Sequence, residues 1–151
     1  MESHGVERQD SVAAALSQVG DRWTFLILRE SFFGVRRFAD FQRNLGVARN
    51  ILSDRLGKLV EFEILARRRY SNHPPREEYR LTEKGRDLYN VTVALMHWGD
   101  KWVVDKPALL LTHRDDGGVV EQILQCTCCR QPITSRDVTY HTPDDHSPSA
   151  M

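Results

Sequence analysis

One segment of this chain is apolar on nearly every side of a helix, and it constrains the fold more than any other. Its apolar side chains are spread around the helical wheel: Trp23, Phe25, Leu26, Ile27, Leu28 and Phe32. Asp21 can cap the first turn, and Gly34 interrupts the pattern. Because a helix that is hydrophobic all round cannot face water, we expect this one to be buried by neighbouring elements.

The length of the chain, 151 residues, favours one main domain with a small appendage over two full domains. With 40% hydrophobic and 28% charged residues, the composition excludes a disordered or fibrous protein. No run approaches the ~18 apolar residues of a membrane span, and the polar start lacks the apolar centre of a secretory signal, so we expect a cytoplasmic protein. We divide the chain into a flexible tail, a main domain, a small β-rich appendage and a disordered end, over residues 1–10, 11–106, 107–140 and 141–151.

The periodicity of the main domain predicts four more helices and a β-hairpin. Ser11 is the expected cap of the first helix, and Thr82 is the expected cap of the last. Two runs rich in strand-forming and charged residues predict the hairpin, and the prolines between them predict an irregular, projecting loop over residues 71–76. The helices are expected over residues 11–19, 38–45, 48–62 and 82–105, and the strands over 65–70 and 77–81.

The order of these elements is that of a winged helix-turn-helix, a mainly α class with a small β component, in which helices 38–45 and 48–62 form the turn-linked pair. The second helix of this pair has one apolar stripe, formed by Leu52, Leu56, Leu59 and Val60. An α-helix fits the major groove of B-DNA and can read base edges while its apolar side stays anchored. We expect base contacts from Arg49, Asn50 and Ser53. Asp54 shares that face, and we expect it to position a neighbouring arginine rather than to accept from a cytosine amine.

Basic residues concentrate in the same part of the chain. The chain holds 21 basic and 21 acidic residues, but residues 29–86 hold 14 basic against 8 acidic. Such segregation suits a surface that binds a polyanion, although a solvated helix face could give a similar excess. We expect phosphate contacts from the short helix and its approach, through Arg36, Arg37 and Arg43. The wing supplies Arg68, Arg69, His73 and Arg76, and its loop can place an arginine near the minor groove.

A narrow apolar seam follows the last helix. Its members recur at alternating spacings of three and four residues: Leu88, Val91, Leu95, Trp98 and Trp102. The seam could pack on its own domain or on a second copy of the chain. We expect a homodimer, because two tryptophans on a terminal helix leave a large apolar surface and DNA readers of this size are usually two-fold dimers.

Five strings occur in a fixed order within residues 11–103: DRWTFLILRESFFG, RRFADFQRNLG, ARNILSDRLGKLVE, EYRLTEKGRDL and HWGDKW. Together they resemble the HxlR-type family of bacterial winged-helix transcriptional regulators, distant relatives of the MarR group. The resemblance implies a homodimer, built from the first and last helices, that binds inverted-repeat operator DNA; we expect a repressor. It also implies that helix 48–62 enters the major groove and that the loop at residues 71–76 is the wing.

This chain departs from the family at a position where many members carry a reactive residue. Many of these regulators carry a sensing cysteine just before the first helix, and this chain has Ser11 there. A hydroxyl has no thiolate form and cannot react with electrophiles or oxidants in that way. The usual redox-sensing mechanism of the family is therefore not expected at this position.

The cysteines of the chain crowd into four positions, at Cys126, Cys128 and Cys129. Such an odd, clustered set does not suit a framework of internal disulfides. Cys126 and Cys129 have the spacing of half a zinc site, but no second half is present, so we expect no metal. Two alternatives stay open: cysteines without a chemical role, which we favour, and reversible oxidation of Cys126 and Cys129 beside Arg130.

Three classes of function compete for this sequence. We find no nucleophile with a nearby base, no glycine-rich phosphate loop and no paired carboxylates, so we expect neither an enzyme nor a cofactor. A winged-helix module for protein interaction or RNA association would show a less basic recognition helix. We therefore expect a sequence-specific DNA-binding regulator whose partners are double-stranded DNA and a second copy of the chain. The sequence identifies no small-molecule effector.

Overall fold

A computed structural model describes residues 10–141, and the chain divides into two compact units, with the boundary between Asp105 and Lys106. The tails expected over residues 1–10 and 141–151 lie outside the described residues, apart from Asp10 and His141. None of the described helices is long and apolar enough to cross a membrane. The elements of the first unit are α1 (Ser11–Val19), α2 (Arg22–Phe32), α3 (Phe38–Leu45), α4 (Arg49–Glu61), β1 (Leu65–Asn72), β2 (Pro75–Leu81), α5 (Glu83–Asp87) and α6 (Tyr89–Trp102).

The apolar helix α2 packs against α3, α4 and α6. Ile27 and Leu28 are fully buried, and a buried side chain of this size contributes about 1.5–3 kcal/mol to stability. Trp23, Phe25 and Phe32 are only partly buried against the same core. The expected burial of α2 is therefore confirmed for the side that faces the other helices, while the aromatic rings lie at the margin of the core.

Two aspartates begin the first two helices. Asp21 caps α2 as expected, since its Oδ1 accepts from the N–H of Trp23 at 2.9 Å. The expectation that Ser11 caps α1 is wrong, because Asp10 is the capping residue and accepts from the N–H of Val12 at 2.8 Å. Asp10 lies one position earlier with an extended backbone, so its carboxylate reaches the free N–H groups of the first turn.

Helices α3 and α4 form the expected turn-linked pair. Gly46 ends α3 with φ at 61°, a left-handed conformation that favours glycine. The apolar stripe of α4 is confirmed, because Leu52, Leu56 and Leu59 are buried in the core. Helix α4 is therefore held by one side, and its opposite side is not used in packing.

The hairpin is longer than the sequence predicts. Leu65 pairs with Leu81 at its base and Asn72 pairs with Pro75 at its tip. The expectation of an irregular loop over residues 71–76 is wrong, since only two residues connect the strands. Pro75 is accommodated because it is the first residue of β2 and because both strands of a two-stranded sheet are edge strands.

The single helix expected over residues 82–105 is also wrong, since Leu88 separates α5 from α6. Thr82 caps α5 as expected and accepts from the N–H of Gly85 at 3.0 Å. The same hydroxyl donates to the carbonyl oxygen of Glu63 at 2.6 Å, which ties α5 to the start of the hairpin. Because α5 is held there while α6 packs against α2, the two segments cannot continue as one straight rod.

The second unit, from Lys106 onward, has little regular structure in its described part. Two isolated antiparallel bridges, between Thr112 and Val119 and between Gln125 and Pro132, make up its β-structure. A short 3-10 turn, Ser135–Asp137, follows them. The β-rich appendage expected over residues 107–140 thus consists of two small bridged loops.

Candidate nucleic-acid interface

The leading end of α4 is an uncovered polar surface. Arg49, Asn50 and Ser53 are all exposed there, opposite the buried leucines. The guanidinium carbon of Arg49 lies 5.1 Å from the centre of the Phe38 ring, so α3 supports this side chain from beneath. Ala48 precedes α4 without a side-chain cap, which leaves the first N–H groups of the helix without an internal partner. Such an end attracts negative charge, including phosphate oxygens.

Asp54 is engaged by cations of its own helix. Its Oδ2 lies 3.3 Å from Lys58 Nζ and 3.8 Å from Arg55 Nε. These contacts favour the positioning role that the sequence suggests over direct contact with a cytosine. The single carboxylate offsets part of the positive charge of Lys58 and Arg55.

An ion pair joins α4 to the start of α2. Arg55 Nη1 lies 3.4 Å from Asp21 Oδ2, and the Thr24 hydroxyl donates to the same carboxylate oxygen at 2.6 Å. Burial raises the pKa of Asp21, but hydrogen bonds from Thr24 and Trp23 together with the charge of Arg55 hold it below its ordinary value. The sequence predicts Asp21 only as a helix cap, and its second role as an anchor for α4 depends on a contact 34 positions away along the chain.

A buried carboxylate holds α3 in place. Glu30 is 6% exposed; its Oε2 accepts from Asn44 Nδ2 at 2.8 Å and its Oε1 lies 3.0 Å from Arg29 Nη2. The bond from Asn44 links the end of α3 to the side of α2. Sequence reasoning missed this pair, although a glutamate inside an otherwise apolar helix is a visible signal of a buried polar contact.

The two neighbouring arginines before α3 line different pockets. Arg37 lies over Tyr70 of β1, with 4.7 Å from its guanidinium carbon to the ring centre, and beside Arg76. Arg36 instead lines a pocket with Arg80 and Arg86. The backbone of Arg37 is extended, and consecutive side chains of an extended segment point to opposite sides. The geometry therefore groups Arg37 with the wing and separates Arg36 from it.

The other cations predicted to contact DNA are exposed, and all but Arg43 lie on the wing. Arg68 pairs across the sheet with Glu78, and Arg69 pairs with Glu77. The N–H of Tyr79 in β2 donates to the carbonyl oxygen of Arg36 at 2.7 Å, which joins the wing to the segment that enters α3. His73 and Arg76 are exposed at and beside the tip, and Arg43 on α3 is exposed despite a 2.8 Å contact with Asp40. The helix pair and the wing are thus joined through the backbone.

The profile of one protein family, described as HxlR-like helix-turn-helix, matches residues 18–107 of this chain. The chain belongs to the HxlR-like helix-turn-helix family. The resemblance read from the sequence strings is therefore confirmed, and so is the winged helix-turn-helix class of the fold. The family is one of transcription regulators rather than of enzymes.

Named relatives of this HxlR-like chain are also transcription regulators. An uncharacterised HTH-type transcriptional regulator of Mycobacterium tuberculosis, Rv3095, is 50% identical over 139 residues, which cover 91% of this chain and 87% of the relative. Among solved structures, PA1607, a candidate transcription factor, has a TM-score of 0.81 at 34% identity and covers 89% of this chain and 96% of its own. The redox regulator HypR in its reduced form has a TM-score of 0.57 at 29% identity and covers 61% of this chain and 92% of its own.

The apolar seam of the HxlR-like chain is largely uncovered. Leu88 packs partly against the core, but Leu95, Trp98 and Trp102 are 52%, 59% and 67% exposed. Val12 and Leu16 of α1 are more than half exposed as well. Packing within the unit therefore does not account for the seam beyond its first residue.

The cysteines of the HxlR-like chain lie in the second bridged loop. Hydrogen bonds from the backbone N–H of Cys129 and of Cys128, and from the thiol of Cys129, hold the pKa of the Cys126 thiol below its ordinary value. The carbonyl oxygen of Cys126 also accepts from the N–H of Arg130 at 3.0 Å, which closes the turn. All three cysteines are free thiols, and the described residues contain no group of three or more ligands that could hold a metal ion.

Proposed function

We propose that this protein is a homodimeric repressor that binds inverted-repeat operator DNA with α4 in the major groove. The observation that carries the proposal is the leading face of α4, where Arg49, Asn50 and Ser53 are exposed and the helix end has no side-chain cap. A helix held only by its apolar side can approach base edges without losing its own packing. Membership of a family of transcription regulators supports the same function.

The surface divides into residues that read bases and residues that hold the backbone. Arg49 can pair with guanine, Asn50 with adenine, and Ser53 with either. Arg37, Arg43, Arg68, Arg69, His73 and Arg76 surround that face on α3 and the wing, where they would meet phosphates or the minor groove. We leave Arg36 out of this set because it lies in another pocket.

The homodimer is proposed from the uncovered apolar faces of α1 and α6. Two exposed tryptophans and two exposed aliphatic side chains of α1 form more apolar surface than a monomer usually leaves in water. A second copy packed against these helices would cover both faces at once. Two-fold symmetry would then place the two α4 helices on half-sites about one helical turn, or a multiple of it, apart.

Selection of bound duplexes from a random library tests the DNA-binding proposal. We expect recovered sequences to contain inverted half-sites with a spacing of about 10–10.5 bp or a multiple. The control is the variant Arg49→Ala with Asn50→Ala, whose selection should lose the base preference. Recovery of no preferred duplex would reject the operator-binding function and leave the alternatives, protein interaction or RNA association.

Repression is tested separately with a reporter gene. The selected operator is placed over the promoter, where a bound dimer would exclude the polymerase. We expect reporter output to fall when the protein is produced and to recover with the Arg49→Ala, Asn50→Ala variant. A rise in output with the wild-type protein would show activation instead.

A second candidate function, thiol-based sensing, is favoured by the hydrogen bonds that converge on Cys126. The Cys126 thiolate would attack a peroxide to form a sulfenic acid, and the Cys129 thiol would displace water from it to form a disulfide. The two thiols are oxidised and the peroxide is reduced to water. Two solved structures that resemble this chain are those of the redox regulator HypR, in its reduced and oxidised forms.

Thiol alkylation before and after peroxide treatment tests this second function. We expect peroxide to block labelling of Cys126 and Cys129 and to change the affinity for the selected duplex. Cys128→Ser should retain the response, whereas Cys126→Ser should lose it. A labelling pattern and a DNA affinity that do not respond to peroxide would remove the sensor function.

A further inference from the structure

A pocket lined by arginines lies behind the wing. It has a volume of about 270 Å³ and is lined by residues from the end of α2, the segment before α3, β2 and α5. Arg36, Arg80 and Arg86 come to it from three separate parts of the first unit. A neighbouring pocket shares Arg80 and Arg86 and adds Arg68 and Glu83. No sequence pattern assigns a role to Arg80 or Arg86.

The N–H donors of these arginines are only partly used in hydrogen bonds within the protein. Arg80 Nε donates to Glu78 at 2.6 Å, and Arg86 Nη1 donates to the carbonyl oxygen of Leu81 at 3.1 Å. Each guanidinium carries five N–H donors, so most of their donors remain available. No acidic residue belongs to the lining of this pocket in the part of the chain that the structure describes. Glu78 and Glu83 are the neighbouring carboxylates, and neither lines this pocket, so its three positive charges favour an external anion.

The rest of the lining is apolar or weakly polar. Val35, Tyr79 and Leu81 contribute apolar surface, and Ser31 and Gly34 complete the lining. The guanidinium fork matches a carboxylate in two parallel hydrogen bonds, while the apolar surface suits a hydrophobic body attached to that carboxylate. Ligand pockets usually begin at ~300 Å³, so the volume of about 270 Å³ restricts the ligand to a small molecule.

We propose that this pocket binds a small organic carboxylate with an apolar body, and that Arg36, Arg80 and Arg86 hold its carboxylate. A ligand there would contact the segment that enters α3, the wing strand β2, and α5, which leads into α6. These are the elements that orient the DNA-binding surface and connect it to the proposed dimer helix. The carboxylate is therefore an effector of DNA affinity, a role that rests on the proposed function, whereas the binding site itself does not.

Titration of the full chain with benzoate tests the site directly. Backbone amide signals of Gly34, Val35 and Leu81 should shift and saturate at millimolar benzoate in two-dimensional NMR spectra. Arg36→Gln and Arg86→Gln should each weaken binding about tenfold or more, since each removes a charge-assisted contact. Arg114→Gln, which changes an exposed arginine of the second unit, should bind benzoate as the wild type does.

Two further probes test the chemical class of the ligand. Benzamide has the same apolar body without the charge, and inorganic phosphate has charge without the body. We expect both to bind at least about tenfold more weakly than benzoate. Equal binding of benzamide, equal binding of phosphate, or unchanged benzoate affinity in both arginine variants would overturn the proposed site.

The affinity for the selected duplex, with and without benzoate, tests the effector role. We expect benzoate to change the wild-type affinity about fivefold or more, and the duplex to change benzoate affinity by the same factor. Without benzoate, Arg86→Gln should bind the duplex as the wild type does and with the same salt dependence. A uniform loss of DNA affinity in that variant would make Arg86 a phosphate contact and overturn the effector role. If no duplex is selected at all, the DNA-binding function fails, while the benzoate titration still decides the pocket.

Discussion

At the scale of single residues, the arginines of this protein differ more in what surrounds them than in their exposure. Arg49 lies beside Phe38 at the free end of α4, and Arg37 lies over Tyr70 near the tip of the wing. Arg55 is half-buried and tied to Asp21. These surroundings fit the roles that we propose, a base reader for Arg49, a phosphate contact for Arg37 and a structural anchor for Arg55.

The first prediction separates base contacts from phosphate contacts. Arg49→Ala should cost about 1–3 kcal/mol at the selected operator and relax the base preference at one position. Arg37→Ala should weaken binding to all duplexes alike and reduce the slope of affinity against salt by about 1. Titrations of operator and random duplex at two salt concentrations measure both effects. Equal losses on both duplexes from both variants would contradict the assigned roles.

The second prediction concerns the charge of Asp21. Its pKa is lowered in the folded protein, so its ionised form stabilises the fold above the unfolded pKa, and this contribution is lost as pH falls through the folded pKa. Asp21→Asn keeps the helix cap but removes the attraction to Arg55, and the pair is partly exposed, so the variant should be about 0.5–1 kcal/mol less stable at pH 7.

Urea unfolding of wild type and Asp21→Asn between pH 7 and pH 3 measures this difference. The difference in free energy of unfolding should narrow as the pH falls below the ordinary aspartate pKa of about 3.9 and toward the lowered pKa of folded Asp21. Asp105→Asn, which changes an exposed aspartate at the end of the first unit, should show no such difference. If wild type and Asp21→Asn differ in free energy of unfolding by the same amount at pH 7 and at pH 3, the ion pair is excluded as the cause.

At the scale of elements, the pair of α3 and α4 is oriented by one apolar stripe and two polar links. The stripe anchors one side of the helix, and the pair of Arg55 with Asp21 connects it to the start of α2. Glu30 and Asn44 hold α3 to α2. Gly46 sets the turn between α3 and α4, so its conformation decides the direction in which α4 leaves.

The third prediction tests this turn with two glycines. Gly46→Ala should destabilise the protein by about 1–2 kcal/mol, because alanine is disfavoured at positive φ although nothing would touch its Cβ. Gly57→Ala, inside α4 and also with free space, should stabilise it by about 0.5–1 kcal/mol. Urea unfolding measures both values. A neutral or stabilising Gly46→Ala would show that the turn does not require the left-handed conformation.

At the scale of the whole molecule, charge and apolar surface are distributed unevenly. The basic excess falls in the segment that contains the helix pair and the wing, and the uncovered apolar side chains of the first unit include those on α1 and α6. One surface suits a polyanion and the other suits a protein. The proposed homodimer would use both, since covering the apolar helices would place two cationic surfaces in one assembly.

The fourth prediction concerns that assembly. The double variant Trp98→Asp, Trp102→Asp should be monomeric by light scattering, because two charges would be buried in an apolar interface. It should also lose tight operator binding, since one α4 alone engages one half-site. Tyr140→Asp, which changes an exposed aromatic residue of the second unit, should remain dimeric. A double variant that keeps the mass of a dimer and a native circular dichroism spectrum would exclude the seam as the interface.

Local patterns in the sequence were sufficient for most of the first unit. The period of the leucines in α4 predicts its buried side, the glycine after α3 predicts the turn, and the apolar helix predicts the core, because each depends on neighbours within a few positions. The predicted loop of the wing and the unbroken last helix were wrong. The break in the last helix depends on contacts with segments distant in the sequence, which no local pattern records. The wing differs because its strands continue to Asn72 and Pro75 in spite of the prolines.

The sequence by itself determined the order of the helices, the hairpin, the face of α4 that is left uncovered and the family. Only the tertiary structure decided that Asp21 and Glu30 anchor the helix pair and that Arg36 joins Arg80 and Arg86 instead of Arg37. The physical reason is the range of the interactions. Helical periodicity and capping act within one or two turns, whereas ion pairs and pockets form between side chains that only the folded chain brings together.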